Sequence, residues 1–263
     1  MQNIETKDLS LDQKLENYQQ ILDRFSDTKK NLTNNYISAF KGILTDFKSK
    51  KEEAIERNRK TSCDFNPLWE FVKLNETMHS KMLAYLLDPH AEHGQKDLFL
   101  QPFLRRIGIA DPEKGVWVVT PEKERVDIML KRREPNSVVI IENKSNGADD
   151  QPNQLYRYWH KEMFRNPQYG DDKTDYYKIV YLPGDESKTP CENSLEKPKD
   201  ADGYDIPVTQ KEHENLPIKI PLKYDYLTFE TDIVSVLIEC TKQLPKENYR
   251  LREFVQQYVE IWK

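Results

Sequence analysis

Two short apolar segments decide how this chain folds: Arg125-Val-Asp-Ile-Met-Leu130 and Val138-Val-Ile-Ile-Glu-Asn-Lys144. Charged and turn-forming residues bound each segment, which predicts two neighbouring β-strands. Because side chains alternate across a strand, Glu142 and Lys144 point to the same face. Asp127 lies mid-strand between two aliphatic residues, where a carboxylate packs poorly. If the strands pair as a hairpin, two carboxylates and an ammonium converge, which suits a divalent metal ion and a positioned water.

The same three side chains also have a plainer interpretation. An Asp followed later by Glu-x-Lys occurs often by chance, and an edge strand can turn its polar face to solvent. The aliphatic run at residues 138–141 favours a central, buried strand instead. A buried strand supports the interpretation that Asp127, Glu142 and Lys144 form a site.

The composition limits the classes of protein to which this chain can belong. Its 263 residues suffice for one compact domain with appendages, and its formal net charge of −5 argues against a basic surface overall. Cys63, Cys191 and Cys240 are scattered without CxxC spacing, so we expect neither a disulfide framework nor a structural zinc site. No apolar run approaches the roughly 18 residues of a membrane span, and the N-terminal residues are polar. We therefore expect a soluble, cytoplasmic protein.

Residues 1–62 are predicted to form a helical, coiled-coil-like arm. Apolar side chains recur there at steps of mostly four and three residues, in two stripes: Leu11, Leu15, Tyr18, Leu22 and Phe25, then Leu32, Tyr36, Phe40, Ile43 and Phe47. We predict two long helices in an antiparallel hairpin that breaks near Ser26–Asn31. The stripes either pack on each other or on the main domain, or they form a dimerisation or partner-binding surface.

Residues 63–263 are predicted to form the main domain. The pattern gives helices, three strands, a helix beginning near Asp149-Asp-Gln-Pro152, a fourth strand and two C-terminal helices. Residues 184–217 are polar and interrupted by prolines, which predicts a long, mobile loop.

Two groups of polar residues near the strand pair are candidates for contact with a phosphate backbone. Gln154 and Tyr158 lie four residues apart and share one helical face, although each also fits an ordinary surface or half-buried position. Lys131, Arg132 and Arg133 occupy the turn that we expect beside the site. They are either phosphate contacts or a solubilising hairpin tip.

In their order and spacing, Asp127, then Glu142-Asn-Lys144, then Gln154-Leu-Tyr-Arg-Tyr158 resemble the PD-(D/E)XK nuclease superfamily, and the last segment resembles its RecB-like branch. The stretch from Asn75 to Leu100 resembles a bacterial PD-(D/E)XK family whose members are uncharacterised. The resemblance covers about residues 66–185, weakens in the C-terminal helices and leaves the arm unexplained.

The resemblance implies an α/β, restriction-endonuclease-like fold, with a mixed central sheet flanked by helices. It implies a nuclease that depends on Mg²⁺ or Mn²⁺ and acts on nucleic acid, with DNA favoured over RNA, in DNA processing or anti-phage defence. Two alternatives stay open: a catalytically inactive nucleic-acid-binding or partner-binding module on the same fold, and an interaction protein that works through its arm.

The resemblance also implies roles for individual residues. Asp127 and Glu142 would bind the metal ion, together with the backbone carbonyl of Asn143 and the helix-borne carboxylate of Glu76. Lys144 would be the catalytic lysine.

Two further implications concern the substrate and a departure from the family pattern. Gln154 and Tyr158 would steady the substrate. Val126 stands where the family often has a proline, a position at which that residue is commonly lost.

Overall fold

The computed structural model describes residues 10–60, 66–123, 125–170 and 173–263. Packing divides the chain into two units, Met1–Phe65 and Asn66–Lys263, each described by itself below. Among the described residues, no helix combines the length and the apolar character that crossing a membrane requires.

The described part of the first unit forms one continuous helix, α1 (Leu11–Lys60), of 50 residues. The predicted hairpin with a break near Ser26–Asn31 is therefore wrong. That segment contains no glycine or proline, and the Thr28 hydroxyl donates to the carbonyl of Arg24 at 2.7 Å within the helix. At 1.5 Å per residue the helix is about 75 Å long. All ten apolar residues of the two stripes are exposed along it.

The described residues of the second unit form a mixed sheet of five strands that lie in chain order. The strands are β1 (Val118–Lys123), β2 (Val126–Arg132), β3 (Ser137–Lys144), β4 (Tyr177–Pro183) and β5 (Asp225–Tyr226). β1, β2 and β3 pair antiparallel, whereas β3, β4 and β5 pair parallel. The predicted α/β fold class with a mixed central sheet is confirmed.

Helices cover both faces of this sheet. The α-helices described in this unit are α2 (Pro67–Glu70), α3 (Glu76–Leu87), α4 (Leu100–Arg106), α5 (Gln154–Trp159), α6 (Glu192–Leu195), α7 (Gln210–Asn215), α8 (Val234–Gln243) and α9 (Tyr249–Glu260). A π-helical turn, His160–Phe164, continues α5, and another, Phe229–Ile233, leads into α8. On one face, α3, α4, α8 and α9 pack on Ile128, Val139 and Ile141. On the other, α5 packs on Met129 and Ile140. β3 is buried on both faces, which suits its run of aliphatic residues at positions 138–141. Three polar residues, Glu142, Asn143 and Lys144, follow this run at the end of the strand.

Residues 184–217 differ from the expected long loop. They contain α6, α7 and a short 3₁₀ turn at Ala201–Gly203, and they lie against α5. The Tyr156 hydroxyl donates to the carbonyl of Pro217 at 2.7 Å, and Arg157 pairs with Asp205 at 3.1 Å. Apolar and aromatic side chains of this segment, such as Tyr204, pack on the second core. This packing gives the polar segment fixed partners, which a count of polar residues and prolines does not reveal.

Candidate active site

The pairing of β2 with β3 sets the geometry of the site. Ile128 pairs with Ile141 in the antiparallel ladder, so the next position places Asp127 opposite Glu142. The predicted hairpin is thus confirmed. By strand alternation Asp127, Glu142 and Lys144 share the face of the sheet that carries α5, and Glu142 and Lys144 are only 1% and 5% exposed.

Glu142 is a buried carboxylate with one engaged and one unengaged oxygen. Its Oε1 lies 2.7 Å from the Lys144 ammonium, whereas Oε2 is buried and has no hydrogen-bond partner among the described residues. Burial raises the pKa of Glu142 to about 8; the charge of Asp127 adds to this rise and Lys144 opposes it. A buried oxygen without a partner beside a second acid is a position that a cation would stabilise.

Asp127 is half-buried and held by the next strand. One carboxylate oxygen accepts a hydrogen bond from the backbone amide of Asn143 at 2.7 Å. Burial raises the pKa of Asp127 to about 6, the Asn143 amide lowers it, and the charge of Glu122 raises it further. Asp127 and Glu142 therefore resist being ionised together, as expected of two carboxylates that share one site.

Among the described residues, three side-chain oxygens lie close to the Lys144 ammonium. Its ammonium lies 2.7 Å from Glu142, 3.4 Å from the Gln154 side-chain oxygen and 3.9 Å from Asp150. Burial lowers the pKa of Lys144, but the surrounding carboxylates, Glu142 foremost, raise it above its ordinary value on balance. Asp150 was not identified from the sequence, where it serves only as part of a helix start.

The structure brings Gln154 and Tyr158 to the site, as predicted, but both are buried and bonded to protein groups. Gln154 accepts a hydrogen bond from Lys144 and donates to the Tyr158 hydroxyl at 3.1 Å. Tyr158 in turn donates to the backbone carbonyl of Arg125, and burial raises the pKa of its hydroxyl. These bonds tie Lys144 to the start of β2, and contact with a substrate remains a prediction for both side chains.

Glu76 lies at the start of α3, close to the end of β3. Its Oε1 accepts hydrogen bonds from the backbone amides of Asn146 and Ala148 at 3.2 and 3.1 Å. The Asn143 side chain donates to the Glu76 carbonyl at 2.8 Å and to Ser80 at 2.9 Å, on the opposite face from Glu142. Glu76 therefore fastens the loop that follows Lys144, and metal ligation by its carboxylate remains a prediction.

The prediction that Lys131, Arg132 and Arg133 lie beside the site is wrong. The turn joins the end of β2 to the start of β3, and Glu142 lies five residues beyond Ser137, or about 17 Å along the strand. A hairpin turn necessarily lies at the opposite end from the first residues of one strand and the last residues of the other.

The contacts of these basic residues explain their presence at the turn. The buried Arg132 guanidinium donates to the carbonyls of Asp111, Lys114 and Ala110, and to the Ser137 hydroxyl. Lys131 pairs with Glu162 at 2.6 Å. Arg133 is exposed. Arg132 thus holds together the segment that precedes β1, which is a structural role.

The donor set suits a hard divalent cation. No group of three or more His, Cys, Asp or Glu side chains that could hold a metal ion occurs in the described part of the chain. Mg²⁺ keeps several waters and needs only one or two carboxylates, so Asp127, Glu142 with its unengaged oxygen, and the Asn143 carbonyl fit its chemistry. His90 is exposed, and the Nδ1 atom of His93 accepts a hydrogen bond from the backbone amide of Gln95 at 3.0 Å.

Comparison with known proteins agrees with this geometry. A family model described as the PD-(D/E)XK nuclease superfamily matches residues 64–260, three quarters of the chain. No curated protein and no solved structure matches the chain. The matched region includes the whole sheet, the paired acids Asp127 and Glu142, and the adjoining Lys144. On the strength of this match over most of its length, the chain belongs to the PD-(D/E)XK nuclease superfamily.

Proposed function

We propose that this protein is a metal-dependent nuclease that hydrolyses phosphodiester bonds of nucleic acid, with DNA as its preferred substrate and Mg²⁺ or Mn²⁺ as its cofactor. The observation that carries the proposal is the buried, unengaged Oε2 of Glu142 opposite Asp127, with the Lys144 ammonium 2.7 Å from the other oxygen. Membership of a nuclease superfamily supports the same reaction class.

Asp127, Glu142 and the backbone carbonyl of Asn143 would hold the metal ion. When bound, such an ion supplies charge stabilisation at the phosphate and lowers the pKa of a bound water. Lys144, as an ammonium, orients the attacking water and neutralises negative charge that develops on the phosphate oxygens. Gln154 helps to hold Lys144 in place, because its side-chain oxygen accepts a hydrogen bond from the ammonium at 3.4 Å.

We place this activity in the cytoplasm, in DNA processing or in defence against phage. Cys191 and Cys240 are free thiols, which suits a reducing compartment. Phage plating on a host that expresses the wild-type protein or Glu142→Gln measures the defensive role. Protection by the wild type alone supports it, and equal plaque counts contradict it.

A cleavage assay tests the reaction itself. Single- and double-stranded DNA and RNA are incubated with the full-length protein in Mg²⁺, Mn²⁺ or EDTA. Glu142→Ala and Lys144→Ala are compared with two matched controls, Glu162→Ala and Lys178→Ala. The controls remove a buried glutamate and a largely buried lysine from ion pairs elsewhere in the same unit.

The expected result is metal-dependent cleavage, strongest on DNA, which falls by at least about 100-fold in both site variants and persists in both controls. Cleavage that is equal in the wild type and the site variants refutes the assignment of the site. Nucleic-acid binding without cleavage under any of these conditions favours the inactive module.

We also propose that α1 associates with a second copy of this chain. Fourteen large apolar side chains are exposed on this helix, far more than a solitary solvated helix normally shows. Residues 11–27 carry four acidic and two basic side chains, whereas residues 28–51 carry six basic and one acidic. An antiparallel pair of copies aligns acidic with basic segments, and a parallel pair would align like charges.

Sedimentation of the full-length protein tests this association. Leu22→Asp places a charge on the apolar stripe, and Gln20→Asp, which adds the same charge two residues away, is the control. A dimer that becomes monomeric in Leu22→Asp alone supports the proposal. A monomeric wild type, or a complex that requires a different protein, contradicts it.

A further inference from the structure

We propose that Asp150 is a positioning residue for Lys144: a fixed, buried carboxylate that holds the ammonium in place when Glu142 is engaged elsewhere. This inference rests on the proposed nuclease function. Asp150 precedes α5 and lies outside the Asp127, Glu142 and Lys144 set.

Asp150 is held more firmly than a loop carboxylate normally is. Its side chain is only 4% exposed. The Tyr181 hydroxyl contacts both carboxylate oxygens, at 3.1 and 3.3 Å. The backbone amide of Cys191 donates to Oδ2 at 2.7 Å. These contacts come from two separate parts of the chain, so the carboxylate has little freedom to turn away.

The anchoring tyrosine also fixes Asp150 relative to the paired acids. Tyr181 lies on β4 and pairs with Glu142 on β3 in the parallel ladder. Asp150 is therefore anchored to the strand next to the one that carries both Glu142 and Lys144. Neighbouring strands lie about 4.8 Å apart, so this anchor holds Asp150 close to the paired acids.

A buried carboxylate is costly unless a positive charge compensates it. Among the described residues, Asp150 forms an ion pair with Lys144, whose ammonium lies 3.9 Å from Oδ1. That distance is too long for a hydrogen bond but short enough for a strong electrostatic effect between two buried side chains. Asp150 thus acts on Lys144 through charge.

The need for Asp150 follows from the competing demand on Glu142. Glu142 is the closest partner of Lys144, and it is also the carboxylate with the unengaged buried oxygen. If Glu142 directs its charge to a metal ion, Lys144 keeps Gln154 and Asp150 as its remaining oxygen neighbours. Of these two, only Asp150 carries a negative charge.

Asp150→Asn separates the charge from the packing. The retained amide oxygen can occupy the Oδ2 position, where it still accepts from Cys191 and from Tyr181. The amide nitrogen then faces Lys144, so a donor replaces the carboxylate oxygen beside the ammonium. Asp225→Asn is a matched control, because it neutralises an aspartate that lies 3.8 Å from Lys178.

A double-mutant cycle with Lys144→Met tests the inference in single-turnover cleavage of DNA by the full-length protein. We expect Asp150→Asn to lower the cleavage rate by about tenfold with little change in substrate affinity, and Asp225→Asn to leave the rate within about twofold. In the Lys144→Met background, Asp150→Asn should change the rate no further. Thermal unfolding of each variant shows whether the fold is intact.

An equal fall of the rate in both backgrounds, or no fall in either, overturns the inference. If Asp150→Asn loses cooperative unfolding, Asp150→Ser takes its place in the same cycle, since a shorter polar side chain also removes the charge. Absence of metal-dependent cleavage in the wild type would instead refute the proposed function. The two failures are therefore distinguishable.

Discussion

Glu142→Gln is expected to stabilise the metal-free protein at alkaline pH, although it removes an ion pair. Burial and Asp127 raise the pKa of Glu142 from 4.5 to about 8 despite the attraction of Lys144. An acid with a raised pKa stabilises the folded state only while it is protonated. The wild type therefore loses stability, relative to a neutral residue, as the pH rises from about 4.5 to about 8.

The magnitude follows from the size of that shift. At about 1.4 kcal/mol per pH unit, the full span corresponds to an upper limit of about 5 kcal/mol at pH 8. Because the glutamine amide remains a buried polar group with few partners, we expect a net gain in the free energy of unfolding of about 1–3 kcal/mol. At pH 5 the Glu142 carboxyl is protonated in the folded state, so only the cost of the amide remains, and Glu142→Gln should be about 1–3 kcal/mol less stable than the wild type.

The assay is urea unfolding in EDTA at pH 5 and pH 8, with Glu162→Gln as the control. Glu162 is also a buried glutamate, 2.6 Å from Lys131, but its lysine is 44% exposed and can return to water. Because Glu162→Gln only removes this ion pair, we expect that variant to be no more stable than the wild type at either pH. A Glu142→Gln protein that is less stable than the wild type at pH 8, or equally shifted at both pH values, refutes the reasoning.

Three further predictions concern other buried polar side chains of the second unit. Burial lowers the pKa of His79 from 6.5 to about 4 in the folded protein. As the pH falls, the unfolded chain therefore binds a proton at this histidine before the folded protein does. The stability advantage of the wild type over His79→Gln should shrink by about 2 kcal/mol between pH 7 and pH 5, measured by urea unfolding. Arg132→Lys should lower the free energy of unfolding by about 2–4 kcal/mol, measured in the same way, because the guanidinium donates to three carbonyls and a hydroxyl. The control, Arg133→Lys, should leave the free energy of unfolding unchanged. Asn143→Ala should lower the free energy of unfolding by about 2–3 kcal/mol and also lower the cleavage rate, because the Asn143 side chain joins β3 to α3. An unchanged free energy of unfolding would contradict this role.

The strand pair and the face that its acids share were predictable from the sequence, because alternation along a strand is a local property. Val138 to Ile141 mark a buried strand whatever surrounds them, and Glu142 and Lys144 follow two residues apart. The antiparallel hairpin then brings Asp127 opposite Glu142 without any information from distant segments.

Features that depend on contacts between distant segments were not predictable. The position of Asp150 depends on hydrogen bonds from the Tyr181 hydroxyl and the Cys191 backbone amide. Residues 184–217 are polar in sequence, yet Tyr204 and its neighbours pack on the second core. Such partners lie 30 or more residues apart in the chain, so periodicity and composition carry no signal of them.

Two errors had local causes. The helix α1 runs without a break through Ser26–Asn31, because polar residues there need no turn when glycine and proline are absent. The basic turn at residues 131–133 was expected beside the site, but the topology of the hairpin places it at the opposite end of the strands.

The central claim is that Asp127 and Glu142 hold a divalent metal ion, and calorimetric titration of Mn²⁺ into the full-length protein tests it most directly. The structure predicts one Mn²⁺ per wild-type chain, loss of that binding in Asp127→Asn and in Glu142→Gln, and unchanged binding in Glu162→Gln. Absence of Mn²⁺ binding in the wild type, or the same binding in Asp127→Asn, would contradict the claim.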